Sequence, residues 1–249
     1  MQQGKLFGLI GYPLGHSFSL QYFTEKFQRE GLAGCRFELF PLKSIKAFPS
    51  LLQSNPDLRG LAVTIPYKEQ VMNYLSRIDE DAVAVGAVNC IKVRADETIG
   101  YNTDILGFEQ SLKPLLKQHH KNALVLGSGG ASKAVQYVLG KLGIPFLVVS
   151  RKPGNDPRQL TYNDLTHDLV SDYRLIINAT PLGMMPAVDT YPDLPYEALG
   201  PGHLLYDLVY KPPMTIFLQK GKDRGAGIVN GMEMLLIQAE ANWEIWQST

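Results

Sequence analysis

Along the chain, short apolar runs alternate with longer stretches of helical period. Residues 6–10 form the first apolar run, and a helical stretch follows from about Ser19 to Gln28. Strand-like runs come next at residues 36–42 and 61–65, with a short helix between them that Ser44 caps and that reaches Ser54. Pro66 ends the third run and suits a first helical turn. Residues 87–93 and Thr98–Tyr101 read as two further strands around the turn Ala95-Asp96-Glu97.

The texture then changes. Residues 105–117 are amphipathic, with Ile105, Phe108, Leu112 and Leu115 or Leu116 on one face. Ala123–Leu126 is wholly apolar, the mark of a strand buried on both sides. It runs into Gly127-Ser128-Gly129-Gly130-Ala131-Ser132, a helix to about Leu142, and a strand at residues 146–149. Further strands are expected at Leu175–Asn178, residues 204–208 and Gly227–Val229, and a final helix at residues 232–246. Strands alternating with helices define an α/β protein with parallel sheets. The second βαβ unit starts near residue 104 and about a hundred residues with their own α/β pattern precede it, so two domains with a cleft between them are expected.

The chain has 249 residues, 45% of them apolar, enough for a substantial core without staples. Lys and Arg total 24 and Asp and Glu total 24, a balance that argues against a nucleic-acid partner. Two cysteines, Cys35 and Cys90, exclude a disulfide-built fold and read as small buried hydrophobes in a reducing compartment. No run reaches the ~18 apolar residues of a membrane span and no leader pattern is seen, so a cytoplasmic protein is expected.

The glycine cluster after residue 126 carries the first chemistry. Glycines tighten the turn and let a phosphate approach the backbone, and the helix start offers free N–H groups. Ser132 stands where a third glycine or alanine is usual. The next strand runs into Ser150-Arg151-Lys152, and cations there suit the 2′-phosphate of NADP rather than the bare ribose of NAD. The plainer alternatives are a simple turn and two solvated charges, and Asp156 close by bears on the cofactor choice.

Polar residues stand at the ends of the N-terminal strands. Ser17 and Ser19 suit either a small polar ligand or a helix cap. His16 is either a proton carrier or a structural hydrogen-bonder. Thr64 and Lys68 follow the third run, and a lysine in a first helical turn opposes the helix dipole, so local helix physics gives it no reason to be there. Asp104 is a helix cap or, with Lys68, half of an acid–base pair in which the carboxylate tunes the ammonium. Gln238 on the last helix either reaches the cleft or faces water.

Together these stretches resemble the shikimate dehydrogenase family along nearly the whole chain. The resemblance rests on Gly11-Tyr12-Pro13 with His16-Ser17-Phe18-Ser19, Val63-Thr64-Ile65-Pro66-Tyr67-Lys68, Gly86-Ala87-Val88-Asn89 and Gly100-Tyr101-Asn102-Thr103-Asp104 with Gly107. It continues through Gly127-Ser128-Gly129-Gly130-Ala131, Asn178-Ala179-Thr180-Pro181-Leu182-Gly183-Met184, Asp207-Leu208-Val209-Tyr210-Lys211-Pro212 and Gly231-Met232-Glu233-Met234-Leu235 with Gln238. It implies an N-terminal α/β substrate domain (residues 1–103 with 233–249) and a Rossmann-type NADP-binding domain (residues 104–232). The implied reaction is reversible NADP-dependent reduction of 3-dehydroshikimate to shikimate, toward chorismate and the aromatic amino acids, with no metal.

The resemblance further implies that Ser17, Ser19, Thr64, Asn89, Asp104 and Gln238 hold the substrate, that Lys68 carries the proton beside Asp104, and that Tyr210 lies near substrate and nicotinamide. The cofactor falls to Gly127, Ser128, Gly129, Gly130, Ala131, Ser150, Arg151, Lys152, Thr180, Leu208 and Gly231. The expected partner is a small molecule, with no nucleic acid or membrane, and the protein is a monomer or a homodimer. A quinate/shikimate dehydrogenase using NAD or NADP and a non-catalytic nucleotide sensor are the competing readings. Four places depart from the usual family pattern. Ala62 stands for Asn, Leu20 for Pro, Phe23-Thr24 for a His-Asn pair, and Ser150-Arg151-Lys152 for Asn-Arg-Thr.

Overall fold

The computed structural model describes residues 4–15, 17–95, 97–152, 154 and 156–248. The chain divides into two compact units, Met1–Thr103 with Gln238–Thr249, and Asp104–Ile237. Among the described residues no helix is long and apolar enough to cross a membrane.

The first unit contains β1 (Lys5–Gly11), α1 (Phe18–Arg29), β2 (Cys35–Pro41), α2 (Phe48–Ser54), β3 (Leu58–Val63), β4 (Arg77–Ile78), α3 (Glu80–Val85), β5 (Cys90–Val93) and β6 (Thr98–Tyr101). Its sheet has the order β2-β1-β3-β5-β6-β4. β1, β2 and β3 run parallel, whereas β5 is antiparallel to both β3 and β6. The sheet is therefore mixed, not purely parallel as the sequence pattern predicts. The few residues joining β5 to β6 are too short for a parallel crossover and leave only a hairpin. Period-two alternation splits β1 between two apolar layers. Leu6 and Ile10 face one with Leu58, Leu61 and Ile91, and Phe7 and Leu9 face the other with Phe23, Phe37 and Trp246.

Local chemistry sets the element ends. Ser17 caps α1, its hydroxyl accepting from Leu20 N at 3.4 Å. Gly86 ends α3 in the left-handed region (φ 71°), which glycine reaches without a Cβ penalty. The expected strand at residues 87–93 begins only at Cys90, because the amides of Val88 and Asn89 are taken by the carbonyls of Lys68 and Tyr101. The helical turn expected from Pro66 is absent. Turns lead instead to a 3-10 helix at Gln70–Tyr74, while buried Tyr67 anchors the segment with its hydroxyl on the Leu42 carbonyl. Lys68 thus sits in a turn, and the helix-dipole argument for it lapses.

The second unit contains α4 (Asp104–Leu112), β7 (Ala123–Leu126), α5 (Gly130–Lys141), β8 (Phe146–Ser150), β9 (Gln159–Thr161), α6 (His167–Asp172), β10 (Leu175–Asn178), β11 (Leu204–Asp207), α7 (Ile216–Asp223), β12 (Gly227–Val229) and α8 (Met232–Gln247). The last ten residues of α8 group with the first unit. α4 stops at Leu112, earlier than its amphipathic pattern implies, and Pro114 falls in a short 3-10 turn. All strand pairs are parallel, in the order β12-β11-β10-β7-β8-β9. Counted within the unit this is 3-2-1-4-5-6 read from the other edge, the doubly wound dinucleotide-binding order. The order reverses between β7 and β10, and sheets of this kind bind their ligands at such a reversal.

Candidate active site

At the switch point of the second unit, Gly127 leaves β7 with φ 107°. A Cβ there would meet the Thr180 methyl at 3.0 Å and the Ala179 carbonyl oxygen at 3.1 Å, so only glycine lets the loops after β7 and β10 lie this close. Gly129 caps α5 without a side chain, leaving the first-turn amides of Gly130 and Ala131 to a ligand. Ser132 has a use that the sequence pattern does not reveal. It is fully buried, its hydroxyl donates to the Gly127 carbonyl at 2.6 Å, and Gln136 Nε2 donates to it at 3.0 Å. The hydroxyl closes the loop that a third glycine would only have permitted.

The other expected cofactor residues also lie at carboxyl ends of strands. Ser150 ends β8 with its hydroxyl turned inward, donating to the Lys152 carbonyl and accepting from Gln159. Arg151 and Lys152 follow it and are exposed. Asp156, which bore on the cofactor choice, is taken by the Arg158 guanidinium at 2.8 Å and by the Arg158 amide. Thr180 follows β10 and donates to Asn178 Oδ1 at 2.6 Å. Leu208 follows β11, and its carbonyl lies so close to Gly231 that a Cβ there would collide with it.

Sequence reasoning did not single out the buried network beneath these loops. Asn178 Nδ2 and Val209 N donate to Asp207 Oδ1, and the Thr215 hydroxyl donates to Asp207 Oδ2 at 2.6 Å. Burial pushes the Asp207 carboxyl up to about 6, against the pull of these three donors. Tyr210, three residues on, is half-buried, and burial raises its phenol. Asp104 is the first residue of α4 itself rather than its cap, and is buried there.

In the first unit the parallel strands deliver their polar residues to one end of the sheet. Thr64 follows β3, and its amide donates to the Ile10 carbonyl. Gly11 has no room for a side chain because the Thr64 methyl occupies it. Asn89 reaches the same end from the antiparallel side, its carbonyl accepting from Val63 N at 2.8 Å. Lys68 is fixed beside it through its carbonyl, which accepts from Val88 N at 2.8 Å. Ser17 and Ser19 open α1, immediately beyond β1, and His16 lies outside the described residues. Gln238 joins from α8, with Oε1 3.5 Å from Asn89 Nδ2. Thr103 and Asn242, given no role by the sequence pattern, are buried with Asn89 and bond to it and to half-buried Gln238. The spacing of Asn242 one helical turn after Gln238 was the available signal.

Leu20, Phe23 and Ala62, three of the four departures, meet in one apolar cluster with Phe7, Phe27 and Trp246. They are mutually consistent: an Asn or His at one of these positions would bring polar atoms in among aromatic rings.

The doubly wound sheet, the glycine loop at its switch point and the polar strand ends of the first unit define a two-unit dinucleotide-dependent α/β enzyme. Residues 9–91 match the family model for the shikimate dehydrogenase substrate binding domain. The chain is 32% identical over 259 residues to a shikimate dehydrogenase (NADP(+)) of Desulforamulus reducens, covering 96% of this chain and 88% of that one. The crystal structure of shikimate dehydrogenase from Aquifex aeolicus superposes with a TM-score of 0.86 at 28% identity over 99% of this chain and 94% of that one. The Thermus thermophilus shikimate 5-dehydrogenase in complex with NADP(H) and shikimate gives 0.85 at 29% identity, covering 98% and 93%. The chain belongs to the shikimate dehydrogenase family.

Proposed function

We propose that the protein is an NADP-dependent shikimate dehydrogenase of the cytoplasm, interconverting 3-dehydroshikimate and shikimate. In this reading the first unit binds the substrate and the second the cofactor. The observation that carries it is the gathering of Ser17, Thr64, Lys68 and Asn89 at one end of the first sheet, in a chain whose second sheet has the dinucleotide-binding order. The second unit suits the cofactor. The left-handed Gly127 lets the loop after β7 lie against the loop after β10, and the start of α5, which no side chain caps, leaves backbone N–H groups for a pyrophosphate. Gly127 to Ala131, Thr180, Leu208 and Gly231 would hold the dinucleotide, with the Ser150 loop presenting Arg151 and Lys152 to the 2′-phosphate.

Bound NADPH supplies the hydride that reduces the ketone carbon. Negative charge then grows on the carbonyl oxygen, and the Lys68 ammonium stabilises that oxygen and hands it a proton. In the oxidative direction the Lys68 amine takes the hydroxyl proton. Asp104 is read as the partner of Lys68 in this step. Ser17, Ser19, Thr64, Asn89 and Gln238 bind the substrate's hydroxyls and carboxylate, and Tyr210 borders the reacting carbon.

The test is nicotinamide absorbance on mixing the purified protein with shikimate and NADP⁺, with quinate and NAD⁺ in parallel. Shikimate-dependent reduction of NADP⁺ supports the reading, and turnover mainly with quinate or NAD⁺ moves it to the broader dehydrogenase. Lys68→Ala is expected to lower kcat at least ~100-fold while KM changes little. A variant with near-native kcat removes Lys68 from the proton step.

A further inference from the structure

We infer that Gln159 is a positioning residue which, through the Ser150 hydroxyl, sets the turn Ser150-Arg151-Lys152 and thereby the discrimination of NADP(H) from NAD(H). The inference rests on the reading of Arg151 and Lys152 as the residues that meet the 2′-phosphate, and adds what aims them.

The bonds at this turn follow from one group that can only accept. The Lys152 carbonyl lies 2.6 Å from Ser150 Oγ, so the Ser150 hydroxyl donates its single proton there. The atom of Gln159 that lies 2.7 Å from the same hydroxyl must then be a donor, which makes it Nε2. The amide oxygen lies against Gly154, where a Cβ would collide with it. Ser150 is 7% exposed, so little water competes for either bond.

The two bonds bracket Arg151. The residue before it ends β8, and the carbonyl after it is drawn back onto that end. The Ser150 proton is spent, so the hydroxyl does not donate to a phosphate; it shapes the turn that carries the two cations. Arg151 and Lys152 are exposed, and among the described residues neither is held in an ion pair. Asp156, the carboxylate close by in sequence, is neutralised by the Arg158 guanidinium at 2.8 Å. Both cations are therefore left to a phosphate. Their aim depends on the backbone direction at Arg151 and Lys152, which the Ser150 bond sets before the cofactor arrives.

The strand that carries Gln159 is held independently of its side chain. Gln159 N donates to the Asp156 carbonyl at 2.9 Å, Val148 N donates to the Arg158 carbonyl at 2.8 Å, and β9 pairs with β8 from Val148 and Gln159 to Ser150 and Thr161. Loss of the side-chain amide therefore loosens the turn without releasing β9.

The test compares Kd for NADPH and for NADH, read from nicotinamide fluorescence, in the wild type, Gln159→Met, Ser150→Ala and the double variant. Met keeps the length of Gln and removes the donor. Each single variant is expected to weaken NADPH binding roughly fivefold or more, the worth of one buried hydrogen bond, while Kd for NADH stays within about twofold. NADH has no 2′-phosphate, so a general loss of structure weakens both cofactors and only a misaimed turn separates them. The double variant is expected to lose no more than Ser150→Ala alone, because both changes break the same chain of bonds. An unchanged preference in Gln159→Met, equal losses for both cofactors, or losses that add in the double variant overturn the inference. A wild type that binds NADPH no tighter than NADH overturns the underlying reading of Arg151 and Lys152 instead. Gln159 is half-buried on an edge strand, so Gln159→Met decides the matter should Ser150→Ala fail to fold.

Discussion

Asp207 offers a sharp test of how burial and hydrogen bonding compete in the second unit. Its side chain is fully buried at the end of β11, and burial moves its carboxyl from 3.8 to about 6 although three donors point at it. The native state therefore holds a proton that the unfolded chain has already released. Between those two values the native state binds more protons, so stability conferred by this site falls as pH rises through the window and is flat on either side. The change corresponds to about 3 kcal/mol.

Asp207→Asn removes the titration while keeping the shape and one accepting oxygen. The assay is urea unfolding of wild type and variant, followed by circular dichroism from about pH 4 to about pH 8. Taking the difference cancels carboxylates such as Glu109, whose lysine partners Lys113 and Lys141 hold it low and whose contribution runs in the opposite sense. Relative to the variant, the wild type is expected to gain about 3 kcal/mol on going from the alkaline to the acid end, mostly between about pH 6 and about pH 4. A difference that is constant, or that favours the wild type more as pH rises, would mean that the three donors outweigh burial, and would refute the reasoning.

Other outcomes follow from the geometry. Gly127→Ala forces a side chain into the left-handed region and against Thr180, and is expected to raise KM for NADP⁺ about tenfold or more while costing ~1–3 kcal/mol of stability in denaturant melts. Arg151→Ala is expected to reduce the preference for NADP⁺ over NAD⁺, read as a ratio of kcat/KM values, by roughly tenfold or more, and an unchanged ratio would leave the 2′-phosphate to other residues. Trp246→Ala empties the aromatic cluster over Gly60 and loses the bond to Ile91, and is expected to cost ~3–5 kcal/mol in the urea midpoint.

Some of this was legible in the chain itself. Ala123–Leu126 followed by six small residues announces a buried strand, a tight turn and a helix, because each step depends only on neighbours in sequence, and the strand has those limits. Leu175–Asn178 and Gly227–Val229 were legible for the same reason. The short elements were not. Arg77–Ile78 has no period of its own and is a strand only because β6 lies beside it. Gln159–Thr161 is held likewise by β8, and α6 and α7 are too short and too polar to stand out.

Sequence alone determined the family and the motifs that mark it: a glycine loop between strand and helix, cations after β8, and polar residues at strand ends. These are properties of residue type and spacing, and they survive without coordinates. Only the tertiary structure decided how those residues are aimed. Ser132 as the clasp of the glycine loop, Asp207 as a carboxyl raised by burial, and the buried bond from the Thr103 hydroxyl to Asn242 all depend on which groups meet in the absence of water. Such meetings join residues from 5 to more than 100 positions apart, and their strength comes from a low dielectric that exists only once the core has closed.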